Sequence, residues 1–260
     1  MSAGRLNVEK EGAIGWMVID NPARRNAING AIWSAIPPAM ERFNADPEVR
    51  CIVVRGAGSI AFAAGADISE FEKRRDSPDA VQGYDKTIDR ALHAIDDSPK
   101  PVIAMIQGFC IGGGLELSLD CDLRYAGESS QFAIPAARLG LGYGVHGTSR
   151  LVATVGHAVA REIFFTARRY NAQEALRMGF VNRVMPDAEL EGFVRGIAQN
   201  IAENAPITIA ASKALIEAMV QPRGDFSKGE ALIRSCMTSE DYVEGRRAFM
   251  EKRKPAFKGR

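Results

Sequence analysis

Pro101-Val102-Ile103-Ala104-Met105-Ile106-Gln107-Gly108-Phe109-Cys110-Ile111-Gly112-Gly113-Gly114-Leu115-Glu116-Leu117-Ser118-Leu119-Asp120-Cys121-Asp122 is the stretch whose reading decides the fold. Its first six residues form a short apolar run of the kind that makes a buried strand. A glycine loop follows, then a buried helix over 115–121 and a further short strand over 122–126. Earlier in the chain, Val53-Val54-Arg55-Gly56…Gly65-Ala66-Asp67 has the same plan: strand, glycine, short apolar loop, glycine at a helix start. Two unrelated turns would give the same spacing. A repeated turn of structure would give it for a reason.

Working outward, residues 13–19 read as a strand that ends at the turn signal Asp20-Asn21-Pro22. Residues 31–43 have a helical pattern, with Pro37-Pro38 expected to kink the helix or begin it afresh. Residues 51–55 form a strand and 79–95 a helix. From Ser149 onward helices dominate, broken by a strand-like run over 179–184. Residues 206–250 are helical in pattern and carry Ile209, Leu215, Ile216, Met219, Leu232, Ile233 and Met237, more apolar surface than a lone terminal helix pair buries. Strands alternating with helices early and helices alone late predict an α/β core with a helical C-terminal portion. The boundary falls near Asn204-Ala205-Pro206, giving regions 1–204 and 205–260.

Composition narrows the class. The 260 residues hold 33 Lys+Arg against 32 Asp+Glu, a net charge of +1, with 46% hydrophobic and 25% charged residues. That is ordinary globular composition rather than a disordered chain. The charge balance argues against nucleic-acid or membrane-surface partners, which favour a basic excess. The first eleven residues contain no apolar signal core, and the uncharged stretch 101–115 is too short and too glycine-rich for a membrane span. Cys51, Cys110, Cys121 and Cys236 show no C-x-x-C spacing and three of them sit in apolar contexts, so reduced, buried thiols in a cytoplasmic protein are expected.

Several chemistries are missing. There is no G-x-S-x-G elbow, no H-E-x-x-H and no G-x-x-x-x-G-K-[ST] loop. His93, His146 and His157 are scattered, so no metal site is expected. Gly142-Tyr143-Gly144-Val145-His146-Gly147 spells G-x-G-x-x-G, but residues 135–139 before it make a poor central strand, which argues against a dinucleotide site and a dehydrogenase.

The two glycine loops are better candidates. Small residues opening a helix leave backbone N–H groups free to approach a ligand. Two such groups, from 64–67 and 112–114, converging on one oxygen would form an oxyanion hole, and Glu116 follows in the same first turn. A base beside an oxyanion hole is the minimum apparatus for enolate chemistry. The plainer alternative is a tight packing loop followed by a glutamate that the helix dipole favours.

Further motifs carry a resemblance. Asn21-Pro22…Arg25-Asn26-Ala27-Ile28-Asn29, Phe62-Ala63-Ala64-Gly65-Ala66-Asp67-Ile68, Pro99-Lys100-Pro101-Val102-Ile103-Ala104 and Gly112-Gly113-Gly114-Leu115-Glu116-Leu117 through Cys121-Asp122 come in order. Gly147-Thr148-Ser149-Arg150-Leu151, Ala172-Gln173-Glu174-Ala175 with Met178-Gly179-Phe180-Val181, and the tail Phe249…Lys252-Arg253-Lys254-Pro255…Phe257 complete the set. Over nearly its whole length the chain resembles the crotonase superfamily, the enoyl-CoA hydratase/isomerase family. The resemblance implies a spiral of β-β-α turns with a helical C-terminal trimerisation region, assembled as a homotrimer or homohexamer. It also implies an acyl-CoA thioester substrate, with coenzyme A part of that substrate and no separate cofactor or metal.

Carried over residue by residue, the N–H groups of Ala66 and Gly113 are implied as the oxyanion hole. Arg24, Arg25, Ala27, Ala64, Asp67 and Ile68 fall where the family contacts CoA, as do Phe249 and Lys252 in the tail. Glu116 holds the place of the first of two hydratase glutamates. The second place, twenty residues on, is Ala136, which cannot transfer a proton. Where hydratases show Pro-Gly-x-Gly-Gly, this chain has Tyr143-Gly144-Val145-His146-Gly147, so Tyr143 and His146 enter the acyl-pocket segment as candidate catalytic groups or as pocket-shaping residues. Tyr143 also falls where methylmalonyl-CoA decarboxylases of the superfamily carry a tyrosine. Three readings follow: an acyl-CoA lyase of the hydratase kind using Glu116, a decarboxylase of a methylmalonyl- or ethylmalonyl-CoA-type thioester, and a non-catalytic acyl-CoA or RNA-binding homologue. Neutral charge counts against RNA.

Overall fold

The computed structural model describes residues 4–67, 78–220, 225 and 227–260. Strands β1 (Arg5–Glu11), β2 (Ile14–Asp20), β3 (Cys51–Gly56), β5 (Val102–Ile106), β7 (Leu123–Gly127) and β10 (Arg183–Met185) form one sheet in that spatial order. All its pairs are parallel except β1–β2. A second, smaller sheet orders β4 (Ala61–Ala63), β6 (Phe109–Ile111), β8 (Gln131–Ala133) and β9 (Tyr170–Asn171).

The chain visits the two sheets in turn. It passes from β3 to β4 and then to helix α2 (Pro78–Asp96), and from β5 to β6 and then to α3 (Gly113–Leu119). A third turn runs from β7 to β8 and then to α4 (Ala136–Leu139). The two glycine stretches therefore share a true repeat of strand, corner and strand, with β4 and β6 where the sequence suggested loops; the helix start expected after Gly65 lies outside the described residues. The residue pattern located β2, β3, β5 and β7. It passed over the three-residue strands β4, β6 and β8, because segments that short carry no measurable alternation.

Alternation along the large sheet explains why these strands are nearly all apolar. Ile52 and Val54 of β3, and Val102, Ala104 and Ile106 of β5, point into the main core with helix α1 (Gly30–Ala45) and α2. Cys51, Val53, Ile103 and Met105 point to the opposite face. There they pack against Leu190, Val194 and Ala198, spaced by four on α7 (Asp187–Ala202). Strands covered on both faces need apolar residues throughout. Edge strand β1 is instead half-exposed and carries Arg5, Glu9, Lys10 and Glu11.

Helix α1 runs through Pro37 and Pro38 as one element, where the sequence suggested a kink or a fresh start. Each proline costs a helix about 3 kcal/mol. Burial of Ile32, Trp33, Ile36, Met40 and Phe43 on the other face offsets that cost. After α5 (Val145–Thr166), interrupted at Gly156, come α6 (Ala172–Arg177) and α7. Helices α8 (Pro206–Val220), α9 (Ser227–Thr238) and α10 (Glu240–Glu251) end the chain. No helix among the described residues is long and apolar enough to cross a membrane.

Successive spiral turns stack through the corners between sheets. Phe109 N donates to the Ile60 carbonyl at 3.1 Å, and Gln131 N donates to the Gly108 carbonyl at 3.0 Å. Gly108 has φ +67°, and a β-carbon there would collide with the Ile60 carbonyl of the turn before. Gly108→Ala should therefore lower unfolding free energy in urea by at least about 1–3 kcal/mol. Gly192→Ala, in an exposed helical position with open space around it, should be neutral or stabilising by up to about 1 kcal/mol.

Candidate active site

Residues 21–29 build the first half of the site. Asn26 Nδ2 donates to the carbonyls of Ala57 at 2.9 Å and Ala61 at 2.7 Å, clamping the corner between β3 and β4. The same segment then pins the loop after β4 through its backbone. Ala64 N donates to Arg25 O at 3.1 Å, Ile28 N to Gly65 O at 2.8 Å, and Asp67 N to Ile28 O at 3.0 Å. Ile28 and Ala66 thus form a parallel bridge. In that geometry Ile28 bonds to the residues flanking Ala66, so the N–H of Ala66 faces the other way.

It faces the next spiral turn. A β-carbon on Gly113 would lie 3.5 Å from Ala66 N and 3.4 Å from the buried Trp33 ring. Gly113 is the first residue of α3, so its N–H has no acceptor within the helix. Among the described residues neither Ala66 N nor Gly113 N has a partner in the chain. Two donors side by side at the mouth of a helix are a receptor for a developing oxyanion.

Both loops open on a cavity of about 830 Å³. Ala64, Ala66, Gly113, Glu116, Tyr143 and His146 all line it, and so does Ala136. The structure therefore brings together every candidate catalytic residue and Ala64. Arg24, Arg25, Ala27 and Asp67 sit beside the pinned loop, outside the lining. Exposed Arg24 reaches buried Asp67 at 3.4 Å, while Arg25 lies over the Phe109 ring. Lys252 is exposed just beyond α10 and is not part of the cavity lining. Ile68 lies outside the described residues, as does the Phe249 side chain. The G-x-G-x-x-G run is a loop entering α5 with the short helix α4 before it, so the strand a dinucleotide site requires is missing there.

Glu116 sits in the first turn of α3. Burial, and after it the nearby Asp120 carboxylate, push its carboxyl up to about 7, with the Tyr143 hydrogen bond and His146 pulling the other way. The Tyr143 hydroxyl lies 3.3 Å from the Gly112 carbonyl, to which it can donate when it accepts from the Glu116 acid, and its ring packs edge-on against Phe164. Burial and the Glu116 charge hold its hydroxyl well above the ordinary tyrosine range, so it stays protonated. One hydroxyl can thus serve both states of Glu116, donating to the carboxylate or accepting from the acid. Gly147 faces this pair closely enough that a β-carbon would collide with the Glu116 carboxylate.

Sequence reasoning passed over Asp120, the carboxylate bonded to His146. Its spacing of four from Glu116 on a helix was the available signal. Ile88, Asp89 and His93 from α2 also line the cavity. No pattern within α2 pointed to that, because only the stacking of turns brings α2 to the cavity that α3 lines.

A two-sheet spiral that pairs loop N–H groups from successive turns is the crotonase architecture. The Enoyl-CoA hydratase/isomerase family profile matches residues 9–260, and the chain belongs to that family. It is 35% identical over 266 aligned positions to a short-chain-enoyl-CoA hydratase of Clostridium acetobutylicum, covering all of both chains. It is 36% identical to a carnitinyl-CoA dehydratase of Salmonella paratyphi A, covering 98% of each. Among solved structures, it matches an enoyl-CoA hydratase/carnithine racemase from Magnetospirillum magneticum with TM-score 0.93 and 35% identity, covering 100% of this chain and 97% of the other. An enoyl-CoA hydratase from Bacillus anthracis matches with TM-score 0.90 and 31% identity, over 98% of this chain and 100% of the other.

The raised Glu116 value has a stability consequence. Between pH of about 4.5 and about 7 the folded protein holds a proton on Glu116 that the unfolded chain has released, so stability falls as pH rises through that window. Glu116→Gln carries no such penalty. In urea unfolding, the variant should gain on the unsubstituted protein as pH climbs through that window, and the gap should stay constant above it.

Proposed function

We propose that this enzyme is an acyl-CoA lyase that adds water to, or removes it from, an enoyl or hydroxyacyl thioester through an enolate. The observation that carries this reading is the placement of Glu116 in one cavity with the unpaired N–H groups of Ala66 and Gly113. The thioester carbonyl oxygen would accept both N–H groups and hold the enolate charge, an interaction for which one donor is worth about 2.7–4 kcal/mol. Glu116 would move the proton at the acyl chain, and a carboxyl poised near neutrality suits both directions of transfer. The names of the relatives support it, since hydration and dehydration are one reaction run in two directions. Arg24, Arg25 and the 64–67 loop are the proposed CoA contacts, with Phe249 and Lys252 reaching CoA from the tail.

A decarboxylase draws support from Ala136, because losing carbon dioxide yields the same enolate without an α-proton to remove. Asp89 in the lining counts against it, since a carboxylated acyl group would meet like charge. Mass spectrometry of purified protein with crotonyl-, methylmalonyl- and ethylmalonyl-CoA separates the readings: water addition raises the mass and decarboxylation lowers it. Hydration of crotonyl-CoA is the expected result, with Glu116→Gln reducing turnover by about 10²-fold or more. A larger loss in Tyr143→Phe than in Glu116→Gln, with mass lost rather than gained, would establish the decarboxylase. No turnover on any of the three would favour a binding protein.

The C-terminal helices are the proposed trimerisation region. Ile216, Met219, Ile233 and Met237 stand 44–69% exposed on α8 and α9, a concentration of apolar surface that a neighbouring copy would cover. Light scattering at micromolar concentration should give the mass of a trimer or hexamer. A monomer would overturn this assembly.

A further inference from the structure

The polar machinery of the cavity continues beyond Glu116. Asp120 lies one helical turn further from Gly113, its side chain fully buried, and His146 Nε2 meets its Oδ1 at 2.6 Å. Arg150 Nε holds the same oxygen at 3.2 Å, and Arg150 also pairs with Asp96 and Glu217. His146 lines the cavity from the first turn of α5, and Ala136 lines the same space where a second carboxylate would otherwise stand. We propose that His146, oriented by Asp120, is the second acid–base group of this site and takes over the proton transfer that Ala136 cannot perform. This rests on the hydration reading given above.

The physical case begins with the tautomer. A buried carboxylate on one ring nitrogen fixes the imidazole so that Nε2–H donates and Nδ1 keeps its lone pair. The same carboxylate stabilises the imidazolium formed when Nδ1 takes a proton. It also makes the pair a poor receptor for an anionic substrate, because the imidazolium charge is already matched. Among the described residues, the other ionisable groups around His146 and its cavity are Asp85, Asp89 and His93 from α2, Glu116 from α3, Tyr143 ahead of α5, and Arg150 with its partners Asp96 and Glu217. The His93 ring lies 4.7 Å from the His146 ring, its Nδ1 donating to the Asp89 carbonyl at 2.6 Å.

In the proposed division of labour the N–H groups of Ala66 and Gly113 hold the carbonyl oxygen, Glu116 serves Cα, and His146 serves the water that attacks Cβ; all of these groups line the one cavity. The water oxygen bonds to Cβ as His146 Nδ1 takes one of its protons. The electron pair of the Cα–Cβ double bond shifts into the bond between Cα and the carbonyl carbon, and the carbonyl pair moves onto the oxygen held by Ala66 and Gly113. The protonated carboxyl of Glu116 then gives its proton to Cα. The proton on His146 returns to the Glu116 carboxylate through solvent, and both groups are restored.

Two reactions of the purified full-length chain test this. One is hydration of crotonyl-CoA. The other is exchange of the α-hydrogens of butyryl-CoA in D2O, which needs Glu116 and the paired N–H groups but no attack by water. His146→Gln should slow hydration by about 10²-fold or more and leave exchange within about threefold. Glu116→Gln should lose both. Asp120→Asn should move the acidic limb of the hydration pH profile to lower pH, because the carboxylate that raises His146 is gone, and should move the exchange profile to lower pH through Glu116, which Asp120 also raises. Hydration by His146→Gln within about tenfold of the unsubstituted protein would overturn the assignment. Joint loss of hydration and exchange in that variant would also overturn it, by making His146 a structural prop. An unmoved limb in Asp120→Asn removes Asp120 from the positioning role. If the unsubstituted protein itself fails to hydrate crotonyl-CoA, the hydration reading falls, and the role of the dyad falls with it.

Discussion

Everything in this molecule that bears on chemistry depends on how closely one spiral turn stacks on the next. At the corner between sheets the backbone of Gly108 lies against the Ile60 carbonyl with no room for a β-carbon. Six residues further on, Gly114 packs just as tightly against Ala63. These contacts set the distance between the 64–67 loop and the start of α3. The pairing of Ala66 N with Gly113 N is a product of that stacking, because the two groups come from different turns.

The polar groups of the cavity are arranged at some cost to stability. Burial holds Glu116 and Asp120 above their ordinary carboxylate ranges. Three contacts temper the cost: the Tyr143 hydroxyl on Glu116, and His146 and Arg150 on Asp120. Arg150 joins the end of α2, the end of α3 and α8 through Asp96, Asp120 and Glu217. The cavity wall is therefore tied by charge to the C-terminal helices. Removing one partner from such a network leaves an uncompensated buried charge, which is the costly event.

Other motifs that signalled the family serve as braces. Asp122 accepts from Val102 N at 2.7 Å and from Lys213 Nζ at 2.8 Å, fixing the start of β5 and a turn of α8. Lys100 Nζ caps the carbonyls of Phe43 and Asp46 at the end of α1. Asn29 caps the start of α1 through Ile32 N at 2.8 Å. These are main-chain groups left over where elements end, and a buried protein must satisfy them.

The sequence by itself determined the α/β class, the central strands, the two glycine loops and the candidacy of Glu116. These are local matters: apolar period, glycine at a turn, and a carboxylate within one helical turn of a small residue. The family resemblance named Ala66, Gly113, Tyr143 and His146 as residues to watch, and marked Ala136 as a missing acid. Only the tertiary structure decided that all of them share one cavity with Trp33, Asp89 and His93. It also decided that Asp120, unremarkable in the sequence, holds His146. The small strands β4, β6 and β8 escaped notice for the same reason. Each is three residues long and exists because its neighbours in the next turn supply its hydrogen bonds. Contacts between residues dozens of positions apart are set by how the turns stack, and no local pattern encodes that distance.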